Sequence, residues 1–123
     1  MTDYSDYTYA GVIRALDAAR ALIENPYNWL RGRWASNPYG DACGSTDPEA
    51  CAWCSMGAIE AASSSDAEAE AAYEFLCCGI GDFDADVAQW NDNPRTLHPD
   101  VIAAFKEAVR CAKVEADMLC GEY

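Results

Sequence analysis

Lysine and arginine are scarce in this chain: eight of them face 21 Asp and Glu, for a formal net charge of −13. They are also unevenly missing. Between Arg33 and Arg95 there is no Lys or Arg at all, while twelve acids lie in that interval. Residues 1–33 balance four acids with four bases, and residues 95–123 carry five acids and four bases. Nearly the whole net charge therefore sits on the middle half. Holding nucleic-acid phosphates requires Lys and Arg that displace counterions, so direct DNA or RNA binding is not expected, nor attachment to an anionic membrane surface. No apolar run approaches the roughly 20 residues that span a bilayer. Asp3 and Asp6 come without an early Lys or Arg, so no signal peptide is expected and the expected location is cytoplasmic. Histidine occurs once, at His98. Any Ser–His or Cys–His catalysis would have to use it.

What is present is a core. Hydrophobic residues make up 51% of 123 residues, enough for one domain spanning residues 1–123 without a metal or disulfide framework. Seven cysteines are many for the length, but an odd number without an export signal reads as reduced thiols behaving as small hydrophobes.

The periodicity is helical throughout. From Asp6 to Glu24, apolar side chains recur at Tyr9, Val12, Ile13, Leu16, Ala19, Leu22 and Ile23, and Asn25-Pro26 stops the helix. Residues 25–47 have loop composition, with Pro38, Gly40 and Gly44. A second, central helix is expected over 48–62, with Asp47 as its cap and Pro48 in its first turn. Ser65-Asp66-Ala67-Glu68 has capping-box spacing and opens a third helix that ends before a Gly79-Ile80-Gly81 turn. A short acidic helix fits 82–90. The last helix starts near Thr96 to Pro99 and carries a stripe of Val101, Phe105, Ala108, Val109, Ala112, Ala116 and Leu119. No segment alternates with period two, so strands are not expected. The expected fold is a compact all-α domain of four to five helices around the 48–62 helix.

Leu22-Ile23, Trp29 and Gly32, then Cys51-Ala52, Gly57-Ala58-Ile59 and Ala62, then Val87, Trp90-Asn91-Asp92, Arg95-Thr96 and Val101 follow one another in a recognisable order. Over roughly residues 15–112 the chain resembles a family of small bacterial and bacteriophage proteins catalogued only as a domain of unknown function. The family pattern has a tighter Cys-Ala-x-Gly-Ala-Ile; here Trp53, Cys54, Ser55 and Met56 lengthen the gap. The resemblance implies an origin and a compact helical fold, and brings no activity with it.

Few groupings carry chemistry. Cys51-x-x-Cys54 has the spacing of half a zinc site, and Cys43 and His98 would complete four ligands. A second pair is missing, however, and Cys51 and Cys54 one turn apart on a helix would simply face the core. No metal and no cofactor is expected, and a small zinc-stabilised regulatory domain ranks third among the readings. Trp90, Asn91, Asp92, Arg95 and Thr96 read as a structural corner, with Asn and Asp bonding the turn backbone. Trp29, Arg31, Arg33 and Trp34 form the aromatic-basic cluster that would clamp a small anionic ligand such as a nucleotide signal. The leading expectation is a non-enzymatic interaction protein of phage type. It would inhibit a basic, nucleic-acid-handling host or defence protein by placing carboxylates where that partner expects phosphates. The carboxylates nominated for that surface are Glu60, Asp66, Glu68, Glu70, Glu74, Asp82, Asp84 and Asp86. A homodimer stays open.

Overall fold

Thr8 opens the first helix. Its backbone is extended and its Oγ1 accepts the Gly11 N–H at 2.9 Å, satisfying one of the donors that a helix start leaves free. The computed structural model describes residues 7–120; Asp6, where the apolar spacing begins, lies outside the described residues. Helix α1 (Tyr9–Leu22) buries Val12, Ala15, Leu16 and Ala19 along one stripe. Asn25 and Pro26 then turn the chain through a single 3-10 turn, Pro26–Asn28.

The stretch expected to be an irregular loop carries two strands of a small antiparallel sheet, and the third falls where the second helix was expected to begin. Its strands are β1 (Ala35–Ser36), β2 (Ala42–Cys43) and β3 (Ala52–Trp53), in the order β2-β1-β3, with Ala35 opposite both Cys43 and Trp53. Asn37 builds the hairpin: its Oδ1 accepts from the Tyr39 and Asp41 amides. Strands of two residues are too short to show a period, which is why alternation gave no sign of them.

The same sheet corrects the start of the second helix. Asp47 caps only a turn, accepting the Glu49 amide at 2.8 Å. The Cys51 and Cys54 amides go to the carbonyls of Ser36 and Trp34, so pairing with β1 takes donors that a helix over 48–54 would need. Helix α2 (Ser55–Ala62) begins at Ser55, where Cys54 Sγ accepts the Gly57 amide at 3.3 Å. It packs against α1 and α3 and against the short helix that follows them.

Helix α3 (Asp66–Ile80) starts where the sequence places it. Ser65 Oγ accepts the Glu68 amide at 3.1 Å, and Glu68 Oε1 accepts from the Ser64 amide at 2.8 Å. This reciprocal arrangement folds the Glu68 side chain inward: the residue is 6% exposed, and Arg14 lies 3.7 Å from its other oxygen. Glu68 therefore caps a helix and is no part of an acidic surface. α3 also runs through Gly79, where the sequence suggested a turn, and stops at Gly81 in left-handed backbone with φ 92°.

Helix α4 (Val87–Asp92) is capped by Asp86, whose carboxylate accepts the Gln89 amide. Helix α5 (His98–Cys120) packs on α1 and α3. Its stripe from Val101 through Ala112 is buried, but Leu119 is 51% exposed, so the last turns stand clear of the core. Phe105, Leu16, Ile23, Ile59, Leu76, Val12 and Val101 are fully buried between these helices. α3 and α5 approach closely at Gly79, where the Ala104 carbonyl and the Ala108 amide fill the space a side chain would need. The domain is mainly α, as expected. Among the described residues, no helix is long and apolar enough to cross a membrane.

Candidate functional site

Two sites emerge, and one of them is already full. Asn91 on α4 is wholly buried. Its Oδ1 accepts from Trp29 Nε1 at 2.7 Å, from the Ser55 amide at 2.9 Å and from Ser55 Oγ at 2.7 Å. Its Nδ2 donates to the Leu30 carbonyl at 3.1 Å and to Asp92 Oδ1 at 3.0 Å. Asp92 Oδ1 in turn accepts the Gly32 amide. One side chain thereby ties the segment after α1, the start of α2 and the end of α4.

Arg31 completes the lock from outside. Its guanidinium lies 4.6 Å from the Trp29 ring centroid and donates to the Thr96 carbonyl at 2.6 Å. On the ring's other contacts, His98 stands 5.9 Å away, centroid to centroid. Its Nε2 lies 2.7 Å from the Ile23 carbonyl; a carbonyl only accepts, so Nε2 carries the proton.

The four residues nominated as a ligand clamp are thus divided. Trp29 and Arg31 belong to this lock. Arg33 donates to the Gly40 carbonyl, and Trp34 is 44% exposed. Arg33 and Trp34 border a hollow of about 120 Å³, shared with Cys54 and Asp92, well below the roughly 300 Å³ from which small-molecule sites usually begin. Of the corner residues, Arg95 is exposed and contributes its backbone amide to Asn93. The cysteine–histidine set is dispersed too: Cys43 lies in β2, Cys51 is exposed, Cys54 caps α2 and His98 begins α5. Among the described residues, no three His, Cys, Asp or Glu side chains are placed to hold a metal ion.

The second site is open. A cleft of about 590 Å³ runs between the Gly44–Thr46 turn, the end of α2, the Ser63–Ser65 link and the first turns of α3. Glu60, Asp66 and Glu70 line it together with Tyr73, and no Lys or Arg does. All three carboxylates are exposed. Asp66, Glu70 and Tyr73 stand at i, i+4 and i+7 of α3, one face of a helix. That spacing was available in the sequence; what brought Glu60 to it was not. Ser45 also lines the cleft. Its Oγ is buried without a hydrogen-bond partner among the described residues, while its carbonyl accepts from Trp53 Nε1 at 3.0 Å. The other nominated acids lie elsewhere. Glu74 lines a groove between α3 and α5, and Asp82, Asp84 and Asp86 follow α3, with Asp82 Oδ1 accepting the Asp84 amide.

Tyr73 reports the field of this cleft. Burial, then the charges of Glu60, Cys54 and Asp66, push its phenol from 10.0 to about 12. Folding therefore favours the protonated phenol. That contribution is complete below about pH 10 and is lost as pH rises through about 12. Tyr9, hydrogen-bonded to Glu115 at 2.6 Å, is also raised to about 12. Absorbance titration should show Tyr73→Phe removing one of the last phenols to ionise. The wild-type protein should lose stability to urea between pH 10 and 12, and the variant should lose less.

Residues 8–110, which hold both sites, match a family of unknown function, DUF6197. The chain belongs to that family. No curated protein and no solved structure matches it. The matched span of DUF6197 takes in the whole of the Asn91 lock and all four acidic-cleft residues Glu60, Asp66, Glu70 and Tyr73, and ends inside α5.

Proposed function

We propose that this DUF6197 member is a non-enzymatic acidic interaction protein that takes a basic partner into the Glu60–Asp66–Glu70 cleft. In this reading it is a cytoplasmic protein of bacterial or phage origin. Its partner is a protein that handles nucleic acid and offers Lys or Arg side chains where phosphates would otherwise bind. The carrying observation is the convergence of three carboxylates on one cleft lined by no base. An arginine side chain fits such a lining: carboxylates take its fork of donors, Thr46 stands beside it, and the Tyr73 ring offers a face. Charge of one sign in a cleft also raises the rate of encounter.

The test uses an arginine-rich peptide as the probe. Wild-type protein should bind it with an affinity that falls steeply as salt rises above physiological strength. Glu60→Gln, Asp66→Asn and Glu70→Gln together should weaken binding by roughly 10- to 100-fold, mostly through a slower on-rate. Bound peptide should pull the Tyr73 ionisation down from about 12, because a cation offsets Glu60 and Asp66. DNA should compete for the peptide. Unchanged affinity in the triple variant would sink the reading. Glu68 stays unaltered in this test because it caps α3.

A further inference from the structure

We propose that Cys78 and Cys111 form a redox pair, a reversible disulfide that staples α3 to α5. Their sulfurs are 2.7 Å apart. A covalent disulfide needs about 2.05 Å, so the bond closes with a movement of under about 1 Å and no change of fold. The approach of the two helices at Gly79, next to Cys78 in α3, brings them together. The neighbouring Cys77 is no competitor, since its thiol is engaged with the Ala85 carbonyl at 3.6 Å.

The pair is also reachable. Both cysteines line the groove of about 440 Å³ between α3 and α5, beside Glu74, Phe75, Phe83 and Arg110. Two features meet here: a sulfur–sulfur approach and solvent access through the groove. The oxidant is a low-molecular-weight disulfide.

The Cys111 thiol is raised to about 11 by burial, the hydrogen bond with Cys78 and nearby charge. Cys111 also donates to Glu107 Oε2 at 3.9 Å and acts second. In the first step the Cys78 thiolate attacks one sulfur of the small disulfide, forming a mixed disulfide and expelling one small thiolate. Cys111 then gives its proton to solvent and its sulfur attacks that of Cys78, expelling the second small thiolate. Two protein thiols lose two electrons and two protons, and one small disulfide becomes two small thiols. An excess of small thiol runs the sequence backwards.

The test is oxidation of the folded, reduced full-length chain with oxidised glutathione, followed by alkylation and peptide mapping. The expected result is a Cys78–Cys111 link with two fewer alkylated thiols. Tm should rise by roughly 10 °C, the effect of closing a loop of this length, and dithiothreitol should reverse it. Cys77→Ser should still form the link. Cys111→Ser should stop at a single glutathione on position 78. Full alkylation after oxidation, a link that maps elsewhere, or one that forms only in urea would overturn the proposal. None of these readings on the wild-type chain depends on a variant folding.

Discussion

Asn91→Ala is expected to destabilise the protein by about 4 kcal/mol, with Tm falling by roughly 15 °C. Truncation strands Trp29 Nε1, the Ser55 amide, Ser55 Oγ and the Leu30 carbonyl at once. Each buried polar group left unpaired costs about 1–3 kcal/mol, and partial hydration of the gap moderates the sum. Against a whole-domain stability of about 5–15 kcal/mol, the loss is large. Asn91→Asp separates the two halves of the amide. It keeps an acceptor for Trp29 and Ser55 but points a charge at the Leu30 carbonyl and Asp92, and should be destabilised most at neutral pH and less in acid. Trp29→Phe removes one of the three donors to Oδ1 and should cost about 1–2 kcal/mol. Its effect should not add to that of Asn91→Ala, since the two share a bond. Urea unfolding of the three variants is the measurement. A loss below about 1 kcal/mol for Asn91→Ala would show that the lock is not what joins these segments.

Gly79→Ala is expected to cost about 2–3 kcal/mol, the reverse of what helix propensity alone gives. Within an exposed helix the same change gains about 1 kcal/mol. Here the added methyl meets the Ala104 carbonyl and the Ala108 amide. Both belong to the α5 backbone, so neither can swing aside as a side chain would. Relief requires α3 and α5 to separate, which opens the core around Phe105 and Leu76. Gly44→Ala is the control: nothing lies within 4 Å of the position its methyl would occupy, and its effect should stay within about 0.5 kcal/mol. Thermal denaturation compares the two. A neutral or stabilising Gly79→Ala would mean that the helices do not touch there.

The helices were legible because their signals are local. Ser65 followed by Glu68 marked the start of α3, and the 3.6-residue spacing of Val101, Phe105, Ala108 and Ala112 marked the buried face of α5. The false start at Asp47 was local too. Asp-Pro-Glu is sound chemistry for a helix cap, but it serves equally for a turn. What decided between them was the carbonyls of Trp34 and Ser36, which capture the amides of Cys54 and Cys51. Those acceptors lie in and just before a strand of two residues that carries no period. The Glu68 side chain was misjudged for a related reason. Capping-box spacing foretold its bond to the backbone, but the consequence, a carboxylate turned inward beside Gly11, depends on how α1 lies against α3.

The sites divide the same way. Composition and order along the chain determined that this protein is mainly helical and strongly acidic through its middle. Those properties are sums over residues or patterns repeated over several turns, and a distant neighbour alters them only at the ends of an element, as at Asp47. The tertiary structure alone decided which polar groups meet. It spent Trp29 and Arg31 on the Asn91 lock and gathered Glu60 from α2 with Asp66 and Glu70 from α3 on one cleft. It also set Cys78 against Cys111 across 33 positions of sequence. Such meetings depend on helix crossing and on close approach at residues such as Gly79, where the absence of a side chain carries no label saying which backbone will fill the space.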